Sequence, residues 1–267
     1  MTNDVLQRSK DILWQHRREL PAFRALIRAI EHRLLVDLGE LPQPLLDIGC
    51  GDGHFAEVTI KHAAVGIDIA HHSLVEAKQR GVYGTLDVAS AWNIPYRSGT
   101  FNAVLANCAV EHMPKLDGVF GEVARVLKPG GKFIFSVPTD KHNANLSIAR
   151  LLDRIGAKGL AKRYRDWFTR MQVHFHMYTP DEWQRRIEAH GFKVTYRRGY
   201  LSPLATVYLE LGHYYGGPDV IARKLTGKWV MWPWRPRFAL EEAVLAPRVA
   251  EDGVPDSSEC FFVAEKI

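Results

Sequence analysis

Cysteine is scarce in this 267-residue chain. Its three copies, Cys50, Cys108 and Cys260, lie far apart and form no CxxC pair. A disulfide framework and a zinc knuckle are therefore not expected, and a reducing compartment is. Long apolar runs are missing too: no stretch of about 18 apolar residues occurs, so no membrane-spanning helix is expected. Met1 to Leu20 is charged throughout and lacks the apolar core of a signal peptide, which points to a cytoplasmic protein. Internal repeats and low-complexity tracts are absent. With 46% apolar and 24% charged residues, the composition is that of an ordinary globular protein and excludes disordered or collagenous chains.

What is present is unevenly spread. The net charge is +5, yet Lys141–Tyr200 holds 13 Lys and Arg against 5 Asp and Glu, a local +8 that leaves the remainder at −3. A basic second half suits an acidic ligand, a membrane surface or nucleic acid, or is simply a solvated face.

The pattern along the chain divides it into four stretches. Residues 1–40 read as helices split at Pro21, with Phe23, Leu26, Ile27, Ile30, Leu34 and Leu38 on one apolar stripe. Residues 41–139 alternate apolar runs (45–48, 64–67, 82–86, 102–106 and 132–137) with helix patterns at about 53–62, 71–80 and 115–127. That alternation predicts βαβ units and an α/β fold with a parallel sheet. Lys128-Pro129-Gly130-Gly131 reads as a turn before the fifth strand. Residues 140–178, amphipathic and then basic and aromatic, read as a helical lid insert. Residues 179–267 return to the core: Thr179-Pro180-Asp181-Glu182 opens a helix, 192–198 and 259–266 are strands, and about 200–250 is a helical, Trp-rich insert.

The strongest local signal is Asp47-Ile48-Gly49-Cys50-Gly51-Asp52-Gly53, an apolar strand running into a loop with glycine at every second position before a helix. Such a loop lets backbone approach a ligand and offers helix N–H groups to an anion. Asp68 ends the next strand about 20 residues on, where a carboxylate can take both hydroxyls of a ribose. The loop reads D-x-G-x-G-x-G, and His54 stands where the dinucleotide fingerprint needs a small residue.

This loop resembles motif I of the class I S-adenosylmethionine-dependent methyltransferases. Asp87-Val88 after the third strand, Asn93 to Asn102 leading into the fourth, Glu111-His112-Met113 beyond it and Glu122 to Gly131 are similar to further stretches of that family. Asn102 replaces the usual aspartate. The resemblance covers about 45–137 well and 179–199 loosely. It implies a Rossmann-like, mostly parallel seven-stranded sheet of order 3-2-1-4-5-7-6, its last strand antiparallel, with helices on both faces and a helical cap. It further implies S-adenosyl-L-methionine as cofactor. Gly49, Cys50, Gly51 and Gly53 would then line its methionine and ribose, and Asp47 would order the loop and receive the amino group. Asp68 would hold the ribose, Ile69 would lie against the adenine, Asp87 and Val88 would read its edge, and Asn107 would lie beneath the sulfonium.

Methyl transfer needs alignment above all. An oxygen or nitrogen acceptor, the favoured kind, also needs a base. His112 and His174 are the catalytic candidates, because imidazole titrates near neutrality. His174 and His176 flank Phe175 and would share a face of an extended segment. No third ligand accompanies this pair, so no metal centre is expected. The acceptor expected is a small, partly apolar molecule. Trp229 to Phe238, aromatic beside arginine, makes a membrane surface a candidate partner and nucleic acid a less favoured one. A nicotinamide-dependent oxidoreductase, a nucleic-acid methyltransferase and a non-catalytic cofactor-binding or membrane-docking protein are the alternatives. Oligomeric state cannot be read from the sequence.

Overall fold

The structure, a computed structural model, describes residues 2–267. Two helices come first, α1 (Asn3–Arg17) and α2 (Ala22–Val36), parted at Pro21, whose missing N–H cannot continue the first helix. There follow β1 (Leu45–Ile48), α3 (His54–Thr59), β2 (Ala63–Asp68), α4 (His71–Arg80), β3 (Tyr83–Val88) and β4 (Phe101–Asn107). A 3-10 turn, Val110–His112, leads into α5 (Leu116–Val126) and β5 (Leu127–Pro138). Three helices follow, α6 (Lys141–Ala144), α7 (Ser147–Arg154) and α8 (Lys158–Gln172), then α9 (Pro180–Glu188) and β6 (Phe192–Tyr200). The chain ends with α10 (Pro203–Tyr215), α11 (Gly217–Thr226), α12 (Ala239–Val249) and β7 (Glu259–Lys266).

The seven strands form one sheet in the order β3-β2-β1-β4-β5-β7-β6, as the resemblance implies. The pairs β1–β2, β2–β3, β1–β4 and β4–β5 are parallel, and β7 runs antiparallel to β5. Central β1 is buried along its whole length, whereas edge strand β3 is half-exposed. The expected turn at Lys128–Gly131 is an excursion within β5. Phe101 pairs with Leu127 and Ala103 with Lys132, so two steps on β4 match five on β5. Gly130, at φ +74°, lets the bulged segment rejoin the sheet.

By contacts the chain divides into two units. The sheet unit comprises Leu38–Asp140, Gln172–Arg198 and Glu259–Ile267; the helical unit comprises Met1–Asp37, Lys141–Met171 and Gly199–Ser258. The stretch 140–178 is thus shared between them. In the sheet unit, Phe133, Phe135 and Phe262 stack with centroids 4.6 and 4.9 Å apart, beneath Val119, Phe120 and Val123 of α5. Thr179 caps α9 by accepting the Glu182 N–H at 3.2 Å, and the Glu182 carboxylate turns to Arg185 and Arg186. Trp183 of α9 is buried and donates its indole N–H to the Pro138 carbonyl at 2.9 Å.

In the helical unit, Arg33 of α2 donates to the Val249 and Glu251 carbonyls at 2.8 and 2.7 Å, satisfying the C-terminal end of α12. Buried Glu31 accepts from the Tyr200 hydroxyl at 2.8 Å and Arg28 at 2.6 Å. The Trp-rich segment is split in its exposure: Val230 and Phe238 are buried, while Trp232 and Trp234 are 70% and 67% exposed. Among the described residues, no helix is long and apolar enough to cross a membrane.

Candidate active site

The site stands where the parallel strands end. After β1 the chain turns through Gly49, Gly51 and Gly53, all with left-handed backbone (φ +69°, +56° and +73°). A Cβ on Gly49 would meet Ala109 Cβ at 2.9 Å; a Cβ on Gly51 would stand in open space. The first glycine is thus demanded by packing, and the second leaves a cradle that a side chain would fill.

The loop is docked on β2. The Ile67 carbonyl accepts the N–H groups of Gly49 and Cys50, at 2.8 and 3.1 Å. Asp68 then links loop to strand end, Oδ2 accepting the Gly51 N–H at 3.0 Å and Oδ1 the Ala70 N–H at 2.8 Å. From edge strand β3, the Tyr83 hydroxyl donates to Asp47 Oδ2 at 2.7 Å. Burial, with the Asp47 carboxylate beside it, raises the Tyr83 pKa and keeps the phenol a donor. Burial likewise, reinforced by Asp47 and Asp68, pushes the Cys50 thiol up, so it stays protonated and unreactive.

A cavity of about 260 Å³ opens here, lined on the cradle side by Gly49, Asp68 and Ile69, with Trp92, His112 and Met113 among its other walls. Ile69 is 69% exposed and Val88, at the end of β3, 56% exposed. Neither is a core residue; both present apolar surface at strand ends, where a flat ring can lie. Asp87 is held by the Tyr96 hydroxyl, whose pKa burial and that hydrogen bond raise. Asn107 Oδ1 accepts from the Ser136 hydroxyl at 3.1 Å, and Ser136 Oγ in turn accepts the Cys108 N–H at 2.8 Å. These bonds hold the strained end of β4, where Cys108 lies at φ +45°.

His112 lines the cavity, and His174 lies beside it with ring centroids 5.1 Å apart. His176 does not join them: Nε2 faces the Met113 carbonyl at 3.0 Å and Nδ1 the Tyr178 hydroxyl at 3.1 Å. The structure therefore brings Gly49, Asp68, Ile69 and His112 to one cavity. It sets Asp47 on β1, Cys50, Gly51 and Gly53 in the loop that follows, and Asp87, Val88 and Asn107 at neighbouring strand ends. Sequence reading missed Tyr83, Tyr96, Trp92 and Ser136. Tyr83 and Ser136 act across strands, at separations of 36 and 28–29 residues that no local motif carries, while Trp92 and Tyr96 reach the site from the loop after β3.

A family model described as a methyltransferase domain matches residues 14–197. The chain belongs to this methyltransferase family. Over 122 residues it is 34% identical to sterol 24-C-methyltransferase erg6 of Schizosaccharomyces pombe, a match covering 42% of this chain and 32% of that protein. Over 101 residues it is 30% identical to a demethylmenaquinone methyltransferase of Symbiobacterium thermophilum, covering 34% and 40%. The matched region thus spans about a third of the length of the sterol methyltransferase. In fold it resembles phosphoethanolamine N-methyltransferase 2 of Haemonchus contortus in complex with S-adenosyl-L-methionine, with TM-score 0.56, 16% identity and 88% and 52% coverage. It also resembles geranyl diphosphate C-methyltransferase of Streptomyces coelicolor in complex with Mg2+, geranyl diphosphate and S-adenosyl-L-homocysteine, with TM-score 0.54, 15% identity and 89% and 77% coverage. At these identities the structural likeness is one of fold.

For a methyltransferase site built this way, Tyr83→Phe is expected to weaken S-adenosylmethionine binding about 5- to 10-fold, about 1 kcal/mol, because the lost hydrogen bond orders the loop without touching the cofactor itself. Calorimetric titration of wild type and variant measures it. Equal affinities would separate Asp47 and its phenol from cofactor binding.

Proposed function

We propose that this chain transfers the methyl group of S-adenosylmethionine to a small, partly apolar acceptor. The observation that carries the reading is the cavity, which unites Gly49 of the glycine loop, the Asp68 carboxylate, the exposed apolar face of Ile69 and the imidazole of His112. The residues present fit the cofactor. Open space at Gly51 admits its backbone-hugging part, and Asp68 stands at the end of β2, where ribose hydroxyls can donate to it. When bound, S-adenosylmethionine supplies a methyl group on a positively charged sulfur, already activated for transfer.

In this reading Asp68 accepts from the ribose hydroxyls, Ile69 and Val88 sandwich the adenine edge beside Asp87, and Gly49 to Gly53 line the amino-acid end with Asp47 and Asn107. Alignment in the cavity contributes most of the rate. His112 and His174 act on the acceptor, whose proton must leave.

The sequence favours an oxygen or nitrogen acceptor. The names of the sterol 24-C-methyltransferases and of geranyl diphosphate C-methyltransferase add carbon, and with a demethylmenaquinone methyltransferase also among the relatives we take the acceptor atom to be a carbon made nucleophilic by a neighbouring hydroxyl or enol oxygen. Such an acceptor is apolar yet needs a proton removed, which gives the histidines a task. Exposed Trp232 and Trp234, with Arg235 and Arg237 next to them in sequence, favour contact with a lipid surface.

Titration with S-adenosylmethionine and S-adenosylhomocysteine is the test. Micromolar binding of both, followed by labelled-methyl incorporation into quinol, prenyl or sterol acceptors, is the expected result. A folded protein that binds neither, or that saturates with NAD instead, sinks the proposal.

A further inference from the structure

We propose that Glu111, His112 and His174 form a binding site for one divalent first-row metal ion of zinc-like ligand preference, with coordination positions open toward the cavity. His174 is separated from the other two by 61 residues or more, yet one ligand atom from each lies within 4.8 Å of the other two. Tetrahedral zinc bonds of about 2.0–2.1 Å set ligand atoms roughly 3.3 Å apart, so small side-chain rotations close the set around an ion.

The backbone already holds the ligands in place. The Phe175 N–H donates to the Glu111 carbonyl at 2.9 Å, stapling the 3-10 turn to the segment that carries His174. The His112 ring is oriented as metal-binding imidazoles commonly are. Its Nδ1 faces the Val173 carbonyl at 3.1 Å, which fixes the proton there. Nε2 faces Glu111 Oε1, 3.5 Å away, so imidazole and carboxylate are placed to share one cation, a proton or a metal ion. The His112 and His174 rings are tilted by 44° rather than stacked, so their nitrogens can converge on one point.

Two imidazoles and one carboxylate are a borderline-soft set, suited to zinc, iron or manganese rather than to magnesium or calcium. Three protein ligands leave at least one position open. Glu111 is 1% exposed and His112 faces solvent, so that opening lies on the His112 side, which also lines the cavity. An acceptor hydroxyl oxygen bound there would lose its proton to solvent more readily, its bonding pair remaining on oxygen. This last step rests on the methyltransferase reading; the metal site does not. His176, turned toward Met113 and Tyr178, lies outside the cluster and provides an internal control.

The 267-residue chain, dialysed against chelator, is titrated with ZnCl2 by calorimetry and with CoCl2 by visible absorption, with S-adenosylmethionine binding measured in parallel. One Zn2+ per chain at micromolar affinity or tighter, with tetrahedral Co2+ bands, is expected. Glu111→Gln and His174→Ala should each weaken Zn2+ binding by about 100-fold, and His176→Ala by less than about 3-fold. Zn2+ affinity undiminished in the first two variants, or no Zn2+ binding by wild type, overturns the site. If Glu111→Gln does not fold, His174→Ala carries the comparison. Cofactor binding retained without zinc binding rejects the metal and keeps the methyltransferase reading; zinc binding without cofactor binding does the reverse.

Discussion

Asp68→Ala is expected to weaken S-adenosylmethionine binding by about 100-fold, the largest effect of any single change in the cofactor cavity. Two losses combine. The ribose loses a charged acceptor, and hydrogen bonds to charged groups contribute about 1.5–3 kcal/mol each. The loop loses its tie as well, since Oδ2 holds the Gly51 N–H and Oδ1 the Ala70 N–H. Asp68→Asn keeps the shape and one acceptor oxygen, so a loss of about 10-fold is expected for it. Titration calorimetry on the three proteins, with circular dichroism to confirm folding, decides. Undiminished affinity in Asp68→Ala would remove the carboxylate from the site and with it the assignment of β2's end to the ribose.

Asp68 also shows why some of the molecule is legible in sequence. Its place follows from the apolar run before it and the glycine loop about 20 residues earlier, both local patterns with one structural solution. The same holds for the presence of the strands, read from their apolar runs; their order in the sheet is the one the family resemblance implies. Boundaries shift where backbone and pairing disagree with composition. Lys128-Pro129-Gly130-Gly131 reads as a turn, yet β5 extends through it because a bulge accommodates the extra residues.

The metal cluster shows the opposite limit. His-x-His suggests a shared face for His174 and His176, but that segment is irregular, and the two rings part company. The partners of His174 lie some 60 residues upstream and are supplied by topology alone. The helical unit is the least legible part, because its polar contacts join α7, α8 and α10, elements that share no local pattern.

Glu210 in that unit carries the second large effect: Glu210→Ala is expected to destabilise the protein by about 2–4 kcal/mol. The carboxylate is fully buried on α10. Oε2 accepts the Ser147 N–H at 2.5 Å and its hydroxyl at 2.6 Å; Oε1 accepts the Ile148 N–H at 3.2 Å and the Tyr164 hydroxyl at 2.7 Å. Ser147 and Ile148 open α7, and its N-cap residue Leu146 has no side chain able to accept. Glu210 thus caps α7 from another helix, its charge placed against the positive end of the dipole. Burial raises the Tyr164 pKa, which keeps that phenol a donor to Glu210.

Truncation to alanine takes the shared acceptor from these part-buried donors, of which the Tyr164 hydroxyl alone keeps a second partner, the Tyr214 hydroxyl. Glutamine fills the space but turns one NH2 toward donors, so Glu210→Gln should cost about 2 kcal/mol. Urea unfolding, with hydrogen exchange at Ser147 and Ile148, measures both. A midpoint unchanged in either variant would show that the four contacts contribute nothing net. Because Tyr164 and Ser147 share one carboxylate, Tyr164→Phe and Glu210→Gln should combine non-additively, by about 1 kcal/mol. Strict additivity would mean that the phenol and the carboxylate stabilise the helices independently, against the geometry that joins them.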